Sequence, residues 1–285
     1  MATSSPVEDR LLHTGLVRPG QIAEARSRAA QSGKSTWAEL VRLRVMTEEE
    51  VGRFFGQELD VPFVNPSDYQ LDPQLALQVG EELARTHLLV PLFVVEQIAF
   101  VAMANPTDVA ALDEVHRRTG LIAEPLIATT AAIHHVLDDL YGIEDRCGAA
   151  LQYAEPQRVR GIGPQETREH PRMRVELNVQ ISLVTSSIKL RQSQSLTCSM
   201  EDLSLGGARV QLPVYLPRGT EVLVAVPVRA GPRGGAQDAL ALRARITHCS
   251  SEGLREPLIR AGMQFLHVGP EARVMLQRLL SYPSV

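Results

Sequence analysis

The hydrophobic pattern of this chain changes its period near residue 174. From residue 20 to about residue 60, apolar side chains recur at helical spacing, and Thr47 followed by Glu50 has the signature of a helix capping box. Helical and strand-like runs then follow one another up to residue 142. This order predicts an α+β domain with helices over 73–86, 109–118 and 130–141 and strands over 88–95, 98–103 and 121–128.

Beyond Arg174, apolar and polar residues alternate one by one, which is the pattern of half-buried strands. Six such runs are separated by turn-rich connections. Because closing a sheet removes its exposed edges, they predict an all-β, six-stranded antiparallel barrel followed by a C-terminal helix over 271–280. The predicted strands lie over 175–183, 196–200, 208–212, 220–228, 240–246 and 259–266.

The stretch between the two halves lacks apolar periodicity and is rich in glycine and proline. Its Gly161-x-Gly163 follows no predicted strand and opens no helix, which argues against a dinucleotide fingerprint. We therefore predict an N-terminal domain over 1–143, a linker over 144–164 and a C-terminal domain over 165–285.

The two halves carry charge of opposite sign. Residues 1–143 hold 11 Lys and Arg against 20 Asp and Glu, whereas residues 144–285 hold 18 against 13. A basic second half fits an anionic ligand there, and two domains with unrelated surfaces fit the same numbers equally well. The net charge of −4 for 285 residues gives no reason to predict DNA or RNA binding.

Several classes of protein are disfavoured by what the chain lacks. The N-terminus has no basic and apolar signal-peptide pattern, and the apolar stretch from Leu88 to Ala104 is too short and too interrupted to insert into a membrane. Three cysteines without a CxxC pair indicate a reduced compartment and no zinc site, so we expect a cytoplasmic protein. No nucleophile–base or paired-carboxylate arrangement marks an enzyme, and no cofactor is predicted.

Two short motifs carry the most specific chemistry. Arg168–Arg172 is an RxxxR, and Asp202–Gly207 is a DxSxxG about 30 residues later. In this order, at the head of a β-patterned segment, they resemble the ligand site of a PilZ domain, the bacterial receptor module for cyclic di-GMP. The resemblance extends over about residues 165–285 and includes Gly262 and Phe265, which match a Gly-x-x-Phe strand of that family.

The resemblance implies that cyclic di-GMP is the ligand. Guanidinium groups pair with phosphate oxygens or with the O6 and N7 of guanine, and a carboxylate accepts from guanine N–H groups. The alternative is a solvated arginine pair beside an ordinary hairpin turn. The implied ligand-binding residues are Arg168, Arg172, Asp202, Ser204 and Gly207, with Gly206, Arg174 and Arg160 as weaker candidates.

The first half resembles the MshE N-terminal domain of type II secretion and type IV pilus assembly ATPases. Some members of that family bind cyclic di-GMP through two tandem motifs that start with Arg-Leu-Gly, have a central Gly and end in Gln. Here both copies have lost most of these residues, so we predict that this domain binds no nucleotide and instead contacts protein. The first copy has Pro6–Glu8, Gly15 and Ala29 at these positions, and the second has Ser35–Trp37, Arg44 and Glu58.

Together these resemblances predict a cytoplasmic cyclic di-GMP receptor that passes its signal to a protein partner in pilus, motility or secretion machinery. The alternative hypothesis is a PilZ-type adaptor that binds no nucleotide and acts as a scaffold for the same machinery.

Overall fold

The computed structural model describes residues 6–142, 173–184, 187–228 and 238–281. They belong to two compact units. In the described range, the first unit consists of residues 6–67, 71–93 and 97–142, and the second consists of Asp68–Gln70, Val94–Glu96 and the residues after 172. The domain bounds proposed from the sequence stay a prediction.

The first unit opens with a run of short helices: α1 (Pro6–His13), α2 (Pro19–Ser32), α3 (Thr36–Arg42) and α4 (Glu48–Leu59). The predicted capping box is confirmed, because Thr47 Oγ1 accepts from the Glu50 amide at 3.1 Å and the Glu50 carboxylate accepts from the Thr47 amide at 2.7 Å. Helix α1 was not predicted, since its eight residues give too few turns for a periodic signal.

These helices form two copies of one unit that are offset by 29 residues, as positions 15 and 44 illustrate. Gly15 and Arg44 both have a positive φ, of 71° and 55°, and each amide donates to a carbonyl three residues earlier. Downstream, a Gln21 side-chain oxygen accepts from the Arg18 amide, as Glu50 does from Thr47. The second copy thus keeps the backbone of the first where its glycine is replaced by arginine.

The rest of the first unit combines helices with a small sheet. Its strand order is β1-β2-β3, and β2 pairs in parallel with β3. The predicted helical stretch over 73–86 is found, but Gly80 has a φ of 83° and divides it into two helices. The elements are α5 (Pro73–Val79), α6 (Glu81–Thr86), β1 (Leu89–Val95), β2 (Ile98–Met103), α7 (Val109–Thr119), β3 (Ile122–Ile127) and α8 (Thr130–Tyr141).

The second unit is a closed antiparallel barrel, which confirms the predicted fold. Its strand order is β4-β5-β6-β9-β8-β7, and helix α9 (Pro270–Ser281) follows the last strand. Alternate side chains point inward, so Val179 and Ile181 of β4 are buried while Gln180 between them is exposed. The strands are β4 (Met173–Leu183), β5 (Ser195–Leu203), β6 (Gly207–Leu212), β7 (Glu221–Val228), β8 (Asp238–Glu252) and β9 (Leu258–Phe265).

A bulge in β5 interrupts this alternation next to the DxSxxG motif. The register with β6 shifts between Met200 and Asp202, which leaves Glu201 as the extra residue. Met200 and Leu203 are fully buried, whereas the two acidic residues between them are both partly exposed. The bulge therefore places two consecutive carboxylates on the outer face of the barrel.

Candidate functional site

The DxSxxG motif forms the turn between β5 and β6, and Ser204 closes it. The buried Ser204 hydroxyl donates to the Gly207 carbonyl at 3.0 Å and accepts from the amides of Gly206 and Gly207 at 3.3 and 3.2 Å. A hydroxyl offers one donor and two acceptor sites, so these contacts use all of them. In this conformation Ser204 shapes the turn and has no hydrogen-bonding capacity left for a ligand.

Gly207 is required by packing between strands. A Cβ atom at this position would lie 2.1 Å from the carbonyl oxygen of Met263 on β9, far inside van der Waals contact. The neighbouring Gly206 carbonyl accepts from the Phe265 amide at 2.9 Å. These contacts attach the turn to β9, so the close backbone approach that the glycines allow is made to the barrel itself.

Asp202 is the residue of the motif whose charged side chain reaches the surface of the barrel. Its side chain is 14% exposed on the outer face of β5. It lies opposite Arg174 on β4 and opposite Arg209 on β6, and Arg209 Nε lies 3.6 Å from Asp202 Oδ2. The carboxylate thus sits between basic residues on both neighbouring strands.

Arg209 was absent from the residues proposed from the sequence. It occupies a partly exposed position between buried Ala208 and Val210, so its place on the outer face follows from alternation alone. Its proximity to Asp202 depends on strand register, which the sequence pattern did not supply.

A second group of charges lies beside this one. Glu201 accepts from the Gln211 side chain at 2.7 Å and from Arg260 Nε at 2.9 Å, and Arg260 also pairs with Glu252. Burial raises the pKa of Glu201, but the hydrogen bonds from Gln211 and Arg260 together with nearby positive charge, including that of Arg209, outweigh it and hold the pKa below its usual value. The Glu201 carboxylate is therefore already hydrogen-bonded to neighbouring side chains on the barrel surface.

The structure brings together one part of the predicted site. Asp202, Ser204, Gly206 and Gly207 lie in or beside the turn, with Arg174 opposite Asp202. Arg160, Arg168 and Arg172 lie outside the described residues. Within the described part of the chain, no group of three or more His, Cys, Asp or Glu side chains is placed to hold a metal ion. In that same part, no helix has both the length and the apolar composition to cross a membrane.

In the first unit, residues at the altered motif positions make internal contacts. Glu8, at the Gly position of the first Arg-Leu-Gly, is buried and pairs with Arg26 of α2. Glu58, at the Gln position of the second copy, pairs with Arg10 of α1. Two positions that would serve a nucleotide in the intact motif thus stabilise helix packing here.

Trp37 stands at the other Arg-Leu-Gly glycine and is a core residue. Its side chain is 4% exposed, and its ring centroid lies 5.7 Å from that of Phe54 and 4.8 Å from that of Phe55. A nucleotide that requires close backbone approach at this position would have to displace the indole.

Comparison with known proteins agrees with this architecture. The family model of the MshEN domain matches residues 59–146, and that of the PilZ domain matches residues 166–282. The chain is 25% identical over 138 residues to the type IV pilus assembly ATPase PilB of Myxococcus xanthus, and 28% identical over 133 residues to that of Thermus thermophilus. These matches cover 48% and 46% of this chain but only 24% and 15% of the two relatives, so the chain spans a quarter of their length or less.

Two solved structures are each similar to a part of the chain. MshE with cdg is 21% identical, with a TM-score of 0.44, and the match covers 48% of this chain and all of that chain. The PilZ domain of YcgR from Escherichia coli, solved with c-di-GMP, is also 21% identical, with a TM-score of 0.31 and coverage of 41% and 90%. In the order predicted from the motifs, a match to the MshEN family model over residues 59–146 is followed by a match to the PilZ family model over residues 166–282.

Proposed function

We propose that this protein is a cytoplasmic receptor for cyclic di-GMP that binds the nucleotide through its PilZ domain and acts through protein contacts, not through catalysis. The observation that carries the proposal is the DxSxxG turn, which presents Asp202 at the barrel surface between Arg174 and Arg209. The family match over residues 166–282 supports it.

In this proposal some motif residues contact the ligand and others maintain the shape of the turn. Arg168 and Arg172 contribute guanidinium groups that pair with the phosphodiesters and guanine edges of the ligand. Asp202 accepts from guanine N–H groups. Ser204 and Gly207 keep the turn in the shape that presents Asp202, since their own polar groups and close contacts are made within the barrel.

The MshEN domain is proposed to contact a protein and to bind no nucleotide. The internal ion pairs of Glu8 and Glu58 and the buried Trp37 support this assignment. The likeness of the first half to type IV pilus assembly ATPases suggests pilus or secretion machinery as the source of the partner.

Titration calorimetry with cyclic di-GMP on the full chain tests the receptor proposal. Arg172→Ala and Asp202→Ala are expected to weaken binding at least about tenfold, because each removes a charged hydrogen-bonding group. Arg243→Ala is the matched control, since Arg243 is an exposed arginine of β8 that pairs with Glu221 at 2.8 Å. Unchanged affinity in both site variants would overturn the site assignment.

The full chain also separates the receptor from the scaffold hypothesis. Absence of cyclic di-GMP binding by the wild-type protein would favour an adaptor that binds no nucleotide. Binding that survives Arg172→Ala and Asp202→Ala but is lost on substitution in the helical repeats would instead assign the nucleotide to the MshEN domain.

A further inference from the structure

An arginine outside the DxSxxG motif lies beside the motif carboxylate. Arg209 lies opposite Asp202 in the β5–β6 pairing, with Nε 3.6 Å from Oδ2. Directly opposed residues of an antiparallel pair project from the same face of the sheet. The register thus directs both side chains to the outer surface of the barrel.

The two side chains differ in their access to solvent. The Asp202 side chain is 14% exposed and that of Arg209 is 41% exposed. A guanidinium carries five N–H donors in a planar fork, so an approach through Nε leaves donors directed elsewhere. The carboxylate is thus the sheltered partner, and the arginine extends further towards solvent.

The negative charge of Asp202 affects how an anionic ligand can approach this surface. A carboxylate next to a ligand with two phosphodiesters repels it unless a nearby cation offsets the charge. Arg174 lies opposite Asp202 on β4, and Arg260 on β9 already pairs with Glu201 and Glu252. Arg209, with Nε 3.6 Å from Oδ2, is therefore placed to offset charge on Asp202.

We propose that Arg209 is a positioning residue of the cyclic di-GMP site, which orients the Asp202 carboxylate towards the guanine edge and offsets its charge. The inference rests on the proposed function, since it assigns a role at the same site. If Arg209 acts through Asp202, its substitution lowers the affinity for cyclic di-GMP only while the Asp202 carboxylate is present. A residue that only stabilises the barrel would show no such dependence.

Calorimetry on the full chain with cyclic di-GMP tests the assignment. Arg209→Ala is expected to weaken binding about tenfold, and Arg209→Lys to recover part of the loss because lysine keeps the charge but not the planar fork. Arg243→Ala, the exposed arginine of β8, is expected to stay within about twofold of wild type. A thermal unfolding curve for each variant verifies that it is folded.

The double variant isolates the mechanism. In an Asp202→Asn background, Arg209→Ala is expected to add less than about a twofold loss, because the carboxylate that it positions is gone. The same tenfold loss in that background would overturn the positioning role. Wild-type affinity in Arg209→Ala would overturn the inference and leave the proposed function intact, whereas a wild-type protein that binds no cyclic di-GMP would overturn both.

Discussion

The helical repeats of the first unit and the DxSxxG turn of the second both resemble nucleotide-binding motifs, but they use their motif residues differently. In the repeats, the altered positions are occupied by a buried tryptophan and by carboxylates that pair with neighbouring helices. In the turn, serine and glycine serve the fold while Asp202 remains partly exposed between basic residues. The difference shows that each residue of a motif has to be assigned separately to ligand binding or to folding. The assignment depends on whether its side chain already makes contacts within the protein.

The largest expected effect comes from restoring a motif glycine in the repeats. Trp37→Gly should destabilise the first unit by about 4 kcal/mol, because it removes a buried indole that packs against Phe54 and Phe55. Denaturant unfolding measures the loss. Trp37→Phe, which keeps an aromatic ring, is the control and should cost clearly less. Equal stability of Trp37→Gly and wild type would mean that the tryptophan is not a core residue.

A somewhat smaller loss is expected at the turn. Gly207→Ala should destabilise the barrel by about 3 kcal/mol, since the added methyl group collides with the Met263 carbonyl. Gly269→Ala is a suitable control, because a Cβ at Gly269 meets no atom within 4 Å. If both variants unfold at the wild-type denaturant concentration, Gly207 is not needed for strand packing and a role at the ligand becomes the better explanation.

Ser204→Ala separates turn formation from ligand contact. Loss of the hydroxyl removes the acceptor of two amides and the donor to the Gly207 carbonyl, so we expect a loss of about 2 kcal/mol in unfolding free energy. In the folded fraction, the affinity for cyclic di-GMP should fall much less than in Asp202→Ala. A loss of affinity equal to that of Asp202→Ala, with unchanged stability, would contradict this division of roles.

The smallest effect has the opposite sign. Arg44 is exposed and has a φ of 55°, a conformation that costs most residues about 1 kcal/mol and glycine very little. Arg44→Gly should therefore raise the unfolding free energy by about 0.5 kcal/mol after the extra flexibility of the unfolded chain is deducted. Arg28→Gly, at a partly exposed position within α2, should lower it by about 1 kcal/mol. Destabilisation by both would show that the Arg44 side chain makes a contribution that its backbone strain does not outweigh.

Much of the fold could be predicted because its signals are local. Alternation of apolar and polar residues predicted each barrel strand, since one face of a strand is buried and the other is exposed to solvent. Thr47 and Glu50 predicted the start of α4, because their side chains cap the first turn of that helix. The break at Gly80 was missed because a glycine inside a helical pattern does not by itself reveal its φ.

The candidate site was predictable in its residue types but not in their individual roles. The sequence favoured Asp202 and Ser204 equally as ligand contacts, and only the geometry of the turn shows that the serine hydroxyl is fully engaged. Arg209 gained its partner through the pairing of two strands around a bulge, and a one-residue change in register would have separated them.

The packing of Gly207 against Met263 has a consequence for how such domains are recognised. Because the neighbouring strand leaves no room for a side chain at this position, a barrel of this kind needs the glycine whether or not a nucleotide binds. The serine and glycine of a DxSxxG therefore diagnose the architecture, and only the acidic and basic positions around them diagnose the ligand. We expect sequence searches that weight those charged positions separately to sort receptors from barrels that merely share their shape.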